Sequence, residues 1–403
     1  MHHQPQVSVV IPTFNERNNV APLIARLNAA LAGIPAEIIF VDDSEDGTPD
    51  EIRRQETTLD VRVIHRRKSE RRGGLSTAVL RGIADAHGDY VCVIDGDLQH
   101  PPETIPDLLK TAIETNADIV IASRNVEGGS SGGLDGPWRR FLSWSLGMAS
   151  RALFYEKLRR VKDPLSGFLM VRRGSLDGIT LRPVGYKISL EILIRAAGSH
   201  VEEVPYTFME RGADETKATM GTGLTFFKHA GLLLLEVPEV GRFWKFGFVG
   251  GTGVAIYLAM LWLLHAQLGL HYLLAWAFAS EMAVLSNFTL NRNFTWFERR
   301  AEGPGALPSE AAKYHAASAL SVGANFIVFI ALTRAGASVL VAGAVSVWIG
   351  VATSFLGAEK FVFTTRRSVP LRRSIVRPPR EDADDAHEHP VVAPPAPVPA
   401  RKD

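Results

Sequence analysis

Four apolar segments crowd the second half of the chain, at roughly residues 246–264, 272–290, 315–334 and 338–357. A helix rises about 1.5 Å per residue and needs about 20 residues to cross a bilayer's hydrocarbon. Segments of 10–14 residues fit inside a soluble core; these are too long and too many for that. Four membrane-spanning helices are therefore expected. The overall hydrophobic content, 46%, conceals this division. Residues 1–240 have a soluble α/β pattern, and from about 365 the chain turns Arg-rich, then acidic, then "PPAPVPARKD".

The charges around the segments orient them. Arg242 and Lys245 precede the first. Arg292, Arg299, Arg300 and Lys313 lie between the second and third, and Arg366, Arg367, Arg372 and Arg373 follow the fourth. The other two loops hold only Arg334. Cationic loops stay inside, so the first half, the middle loop and the tail are expected on the cytoplasmic face. "MHHQPQVSVVIPTFNE" carries no basic region followed by a long apolar core, which agrees with a first half that is not exported. At an offset of 68, Lys245-Phe246 aligns with Lys313-Tyr314, Ser286 with Ser354 and Arg292 with Lys360, suggesting a two-plus-two helix repeat.

In the first half, apolar runs of strand type recur: "VSVVIPTF" (7–14), "AEIIFVDDS" (36–44), "VRVIH" (61–65), "YVCVIDGD" (90–97) and "ADIVIASR" (117–124). Stretches of helical spacing separate them, such as "GLSTAVLRGIADAHG" (74–88). This alternation predicts a mainly parallel sheet with helices on both faces. Ligands in such sheets bind at the carboxyl ends of the strands. Those ends carry Asp42 and Asp43, Asp95 and Asp97, and Arg124. A net charge of +1 offers no bulk electrostatic case for a nucleic-acid partner. The single cysteine, Cys92, excludes an internal disulfide and reads as a small core residue in a strand.

Two carboxylates leaving one strand together, Asp95 and Asp97, repel unless a positive group sits between them. A hard divalent cation meets that need with oxygen ligands, and Gln99 adds another oxygen. Gly96 leaves room for a ligand near the backbone. Taken alone, the same residues equally fit a turn that caps a helix beginning near Pro102. Their neighbours decide: Pro12, Phe14 and Glu16 follow the first strand and Asp43 the second. Acidic groups, a stacking ring and turns at three adjacent strand ends suit a nucleotide.

These pieces resemble family 2 glycosyltransferases of the GT-A fold, and within them the polyprenyl-phosphate (dolichol-phosphate) mannosyltransferases. The matching stretches are "VVIPTFNERNNV", "VDDSEDGT", "GLSTAVLRGIADAHGDYVCVIDGDLQHPPETIP", "ASRNVEGG", "WRRFLS" and "DPLSGFLMVRR", in the family's order over residues 7–173. "NFTLNRNFTWF" resembles the signature of GtrA-like membrane domains. The resemblance implies a Rossmann-like GT-A domain followed by a four-helix transmembrane domain. It divides the chain into a cytoplasmic catalytic domain (1–221), an interfacial helix and linker (222–242), a GtrA-like domain (243–365) and a disordered cytoplasmic tail (366–403).

The resemblance also implies roles. Pro12, Phe14, Glu16, Val41, Asp43, Arg72, Asp95, Gly96, Asp97 and Gln99 correspond to the nucleotide-sugar site. Asp95, Asp97 and Gln99 correspond to ligands of Mg²⁺ or Mn²⁺. Arg124, Arg139 and Ser143 correspond to the lipid-phosphate site, and Asp97, Arg124 and Arg139 to the catalytic group. Arg211 and Lys217 fall in the acceptor loop, where "RGADETKATMG" departs from the usual pattern. Ser76 stands where the family commonly has glycine, and Gly96 where it has alanine. Asp163 in "DPLSGF" reads as a structural residue next to the site.

The implied partners are GDP-mannose, a polyprenyl or dolichyl phosphate and the bilayer; UDP-glucose or another nucleotide sugar is the nearest alternative donor. The implied reaction inverts the anomeric centre and gives a β-linked sugar. A processive polysaccharide synthase is disfavoured, because no Q-x-x-R-W motif occurs. A flippase role for the membrane half is weighed against a plain anchor and ranked below it, since Glu281 is the one evident intramembrane acid and no ion relay is visible. For Glu281 itself an interhelical hydrogen bond is the expectation. The stretches 138–155 and 223–237 are aromatic-rich and too short to span, so a place in the membrane interface is preferred over the soluble core.

Overall fold

The computed structural model describes residues 4–134, 136–182, 187–196, 199–210, 221–237 and 240–364. Arg211, Lys217 and the tail from 366 lie outside the described residues. The first half runs β1 (Val7–Thr13), α1 (Arg17–Ala30), β2 (Ala36–Asp42), α2 (Thr48–Arg54), β3 (Asp60–His65), α3 (Leu75–Ala84), β4 (Tyr90–Val93), α4 (Ile105–Glu114) and β5 (Ile119–Ser123). It continues through α5 (Pro137–Leu153), α6 (Tyr155–Leu158), β6 (Leu169–Arg172), α7 (Ile188–Arg195), β7 (Val201–Pro205) and α8 (Gly221–Glu236).

The seven strands form one sheet in the order β3-β2-β1-β4-β6-β5-β7. β1 pairs in parallel with both β2 and β4. The sheet is mainly parallel, as the alternation predicts, with one reversal: β6 lies antiparallel between β4 and β5. The central strand shows why the runs are continuously apolar. All seven residues of β1 are buried, since helices cover both faces of a parallel sheet. Val7, Val9 and Ile11 pack with Leu23, Leu27 and Leu108 on one face. Val10 packs with Val79, Ile192 and Phe226 on the other. Cys92 is fully buried in β4, as expected of a small core residue.

Helix α3 lies unusually close to β1. A Cβ on Gly82 would stand 2.3 Å from Val10 Cγ1. Alanine is the better helix former by about 1 kcal/mol, but overpacking a core costs about 1–3 kcal/mol. The Gly82→Ala variant is therefore expected to lower the melting temperature. A rise in melting temperature would show that the contact is loose.

The membrane half is built from α9 (Arg242–Leu261), α10 (Tyr272–Leu290), α11 (Ala306–Arg334) and α12 (Val339–Gly357). With the turns that extend them, four spans cover 242–267, 272–295, 306–334 and 339–362, each long and apolar enough to cross a membrane. They form two hairpins. α9 meets α10 where Gly253 leaves room for Asn287. α12 buries Ala342, Ser346 and Gly350, a small-residue stripe at four-residue spacing, and the Gly350 carbonyl accepts from Ser321 Oγ at 2.5 Å. Small residues let membrane helices approach closely. Each hairpin's returning helix ends in a π-helical turn, Asn291–Thr295 and Ala358–Val362, and α9 runs into another at Trp262–Gln267.

The hairpins are tied at the end nearest the sheet domain. Glu359 accepts from Arg242 Nη1 (3.1 Å), Arg299 Nη1 (2.8 Å) and Trp296 Nε1 (2.6 Å). Glu281 hydrogen-bonds across the spans to His315 Nε2 at 3.0 Å, an interhelical contact of the kind expected for it.

The two expected interface segments differ from core helices in what they expose. α5 buries only Leu146 and Ser150. Trp138, Phe141, Trp144 and Met148 are exposed along its outer side. α8 anchors Phe226, Ala230 and Leu233 in the sheet's core while exposing Phe227 and Leu235. Trp244 Nε1 in α9 donates to the Ala152 carbonyl of α5 at 3.3 Å, joining the first span to this helix.

Candidate active site

Three strand ends meet at the carboxyl edge of the sheet. After β1 the chain turns through Asn15, a non-glycine residue at φ +57°. The turn is stitched to β2: Asn15 N–H donates to Ser44 Oγ (2.7 Å) and Glu45 N–H to Asn15 Oδ1 (3.0 Å). This leaves Phe14 exposed beside Glu16, whose carboxylate accepts from Asn19 Nδ2 at 2.5 Å. Pro12 and Val41 pair across β1 and β2. The Val41 side chain is buried in the core, so it can meet a ligand only through its backbone.

The adjacent acids Asp42 and Asp43 have separate jobs. Asp42 is fully buried and braces the strand ends: Thr13 Oγ1 (2.8 Å) and Ser44 Oγ (2.6 Å) donate to it, and His65 Nδ1 lies 2.6 Å away. Asp43 sits nearer the surface, gripped by Arg66. Arg66 Nε reaches Oδ1 at 2.7 Å and Nη2 reaches Oδ2 at 2.5 Å. Arg66 is itself buried and donates to Thr77 Oγ1 at 2.9 Å. A bidentate arginine fixes both the position and the plane of a carboxylate. Arg66 was not among the expected site residues; its signal is a basic residue one step past β3, opposite an acid one step past β2. Arg72 is exposed at the end of a short 3₁₀ turn, and its carbonyl accepts from Thr77 Oγ1.

At the end of β4 the turn Asp95–His100 is closed by side chains. Asp95 N–H donates to His100 Nδ1 at 3.0 Å, and Gln99 N–H to Asp97 Oδ1 at 3.1 Å. Leu98 takes φ +66°, an uncommon conformation for leucine. Burial pushes the His100 imidazole down to about 4, so it is neutral near pH 7. A Cβ on Gly96 would meet Thr13 Cγ2 at 3.0 Å, so its missing side chain lets β1 pack close against this turn. Gln99 clasps the strand region after β7: its Nε2 donates to the Met209 carbonyl (3.3 Å) and its own carbonyl accepts from Met209 N–H (3.0 Å).

Arg124, at the end of β5, is held by Asp163. Nε to Oδ2 is 2.7 Å and Nη2 to Oδ1 is 2.8 Å, with side chains 10% and 3% exposed. Burial opposes both charges, but their mutual hydrogen bonds and attraction outweigh it. Arg124 is raised above its ordinary value and Asp163 is lowered below its own. Glu203 in turn accepts from the Lys162 and Asp163 backbone N–H groups at 2.8 and 2.9 Å. The "DPLSGF" loop is thus fastened to β5 and β7, and Asp163 is a structural partner at the site. Desolvation and the Arg124 charge push Lys187 down to about 8, with its Nζ donating to the Leu165 carbonyl at 2.9 Å. Arg139 and Ser143 lie one helical turn apart on α5, both half-buried.

Among the described residues, no three His, Cys, Asp or Glu side chains are grouped to hold a metal by themselves. Two carboxylates on one turn fit a hard cation that shares its coordination with substrate phosphates, because such ions take one or two protein carboxylates.

Residues 8–180 match glycosyl transferase family 2, and residues 245–363 match the GtrA/DPMS transmembrane domain. A dolichol-phosphate mannosyltransferase of Pyrococcus furiosus is 38% identical over 343 residues, covering 85% of this chain and 95% of the relative. One from Mycosarcoma maydis is 35% identical over 272 residues, 64% of this chain and 86% of the relative. An undecaprenyl-phosphate mannosyltransferase of Micrococcus luteus is 33% identical over 225 residues, 54% of this chain and 88% of the relative. With a GT-A-like sheet domain, four spans and these relatives, the chain is a membrane-integral glycosyltransferase and belongs to the dolichol-phosphate mannosyltransferases of glycosyl transferase family 2.

Proposed function

We propose that the protein transfers mannose from GDP-mannose to a polyprenyl phosphate and gives a β-linked product by one inverting displacement. The observation that carries the acceptor is α5. The helix bearing Arg139 and Ser143 exposes Trp138, Phe141 and Trp144. Aromatic side chains favour the level of the lipid headgroups. A cation on such a helix stands where a lipid phosphate arrives. The charge pattern of the loops supports a cytoplasmic position for this face.

A lipid monophosphate carries about −1.5 to −2 charges near pH 7. It is already a nucleophile and needs no strong base, so the protein's work is positioning. Arg139 and Ser143 hold the phosphate. The Arg124–Asp163 pair sets the wall of the site, with Arg124 as the cation facing the acceptor. Asp43, oriented by Arg66, and Glu16 receive the nucleoside, and Phe14 offers a stacking face. Asp95 and Asp97, with Gln99, would hold Mg²⁺ or Mn²⁺, which would supply Lewis-acid neutralisation of charge on the departing diphosphate. Val41 and Arg72 border the nucleotide. Arg211 and Lys217 belong to the acceptor loop in this reading.

Full-length protein in detergent, given labelled GDP-mannose and UDP-glucose with a polyprenyl phosphate, tests the donor. Transfer from UDP-glucose alone sinks the mannose reading. In the same assay Arg139→Ala is expected to raise the acceptor KM by about tenfold or more, the scale of one charge-assisted contact. The KM for the nucleotide sugar should move little. Equal loss on both substrates would make Arg139 a structural residue.

A further inference from the structure

One buried group at the β4 turn is used only in half. The His100 ring is 2% exposed, and its Nδ1 accepts the Asp95 N–H. An imidazole whose Nδ1 accepts carries its proton on Nε2. That Nε2–H has no hydrogen-bond partner among the described residues. That N–H is not one of the fully enclosed polar atoms without a partner, so it reaches open space. The rings of Phe168, Tyr206 and Phe208, with centroids 5.3, 5.9 and 5.8 Å from that of His100, enclose it without supplying one.

The gap beside it is shaped by a glycine. A Cβ on Gly167 would stand 3.2 Å from His100 Cε1, 3.5 Å from Asp95 Oδ2 and 3.8 Å from His100 Nε2. The absent side chain leaves a space bordered by a carboxylate oxygen and a ring N–H. The Asp95 side chain is 36% exposed, and its Oδ2 borders this space. A hydroxyl, which donates and accepts at once, complements such a border.

We propose that His100 and Gly167 form the subsite for the transferred hexose, with His100 Nε2–H donating to a sugar hydroxyl over Gly167 while Nδ1 fixes the turn that carries the carboxylate pair. The subsite rests on the glycosyl-transfer reading above, since it takes the sugar of a nucleotide donor. It gives His100 two separable duties, one toward the sugar and one toward Asp95.

The test measures binding to full-length protein without acceptor: the affinity for GDP with Mn²⁺, followed by the Mn²⁺ spin-resonance signal, and the preference for GDP-mannose over GDP. His100→Asn keeps an acceptor near the Nδ1 position and offers nothing at the Nε2 position. It should hold GDP and Mn²⁺ within about twofold of wild type and lose about fivefold to tenfold in preference for the sugar nucleotide, the scale of one hydrogen bond. His100→Phe should lose on both measures. Gly167→Ala adds one methyl in the gap and should match His100→Asn; it keeps the test alive if the histidine variants do not fold. Wild-type preference in a folded His100→Asn or Gly167→Ala variant overturns the sugar contact. Equal weakening of GDP and Mn²⁺ by His100→Asn and His100→Phe overturns the clamp. Should wild type transfer glucose instead, UDP-glucose against UDP reads the same contrast. A wild type with no preference for either sugar nucleotide over its diphosphate overturns the subsite, whatever the transfer assay shows.

Discussion

Asp97→Ala is expected to reduce transfer by about 10³-fold or more while leaving the protein folded. The size follows from the role proposed for Asp97: without its carboxylate the site would lose a ligand for the cation that would neutralise the departing diphosphate, a charge stabilisation of several kcal/mol. The fold should tolerate the change. One local bond at stake is the Gln99 N–H to Asp97 Oδ1 contact at 3.1 Å, and a hydrogen bond of this kind contributes about 1 kcal/mol. Asp97→Asn separates the two effects, because an amide oxygen still accepts from Gln99 while the charge is gone. Initial rates of transfer and a thermal melt decide the matter. Wild-type rates in Asp97→Ala, or full recovery in Asp97→Asn, would remove Asp97 from the metal site.

The second large effect concerns stability. Asp163→Ala strands the Arg124 guanidinium, whose side chain is 10% exposed, without its bidentate partner. Breaking a buried ion pair by removing one member costs about 3–5 kcal/mol, most of it from the charge left behind. Replacing both residues together, Arg124→Met with Asp163→Leu, should cost much less than Asp163→Ala alone. The effect also has a pH signature. Burial works to raise the Asp163 carboxyl, but Arg124 holds it below its ordinary value. The native state therefore resists protonation, and the unfolded state takes up the proton first as pH falls. The stability from the pair is fully present above the ordinary aspartate range near pH 4 and is lost as pH drops through the lowered value. Melting curves of wild type and Asp163→Ala should converge in acid. A gap that stays constant from pH 7 to pH 3, or that never exceeds about 1 kcal/mol, would deny the pair this role.

Much of this architecture is legible in the chain because single residues state it locally. The run "VSVVIPT" is apolar without alternation, and the strand it forms is buried on both faces. The four spans announce themselves by length, and so does the boundary near Arg242. What the chain conceals depends on pairs far apart in sequence. Nothing in "VDDS" says that Asp42 is a brace and Asp43 a surface-facing acid; the difference lies in Thr13, His65 and Arg66. Arg124 reads as an open cation until Asp163, thirty-nine residues on, closes against it. Nothing beside Gly96 in the chain says that the Thr13 methyl packs against its missing side chain. The antiparallel entry of β6 is hidden for the same reason, since pairing direction is a property of two strands. Nothing in "DGDLQH" says that the His100 ring reaches back to the backbone of Asp95.

That reversed strand governs the order in which the molecule can be made. β4 is complete at Val93, but its second neighbour, β6, begins at Leu169, about 75 residues later. At a synthesis rate of about 5–20 residues per second, the edge of β4 waits several seconds for its partner. An unpaired edge invites pairing with other chains, and charge at its end discourages that. Asp95 and Asp97 stand at the end of that edge. Besides the role proposed for them in the site, these two carboxylates set negative charge beside the open edge of a half-built sheet.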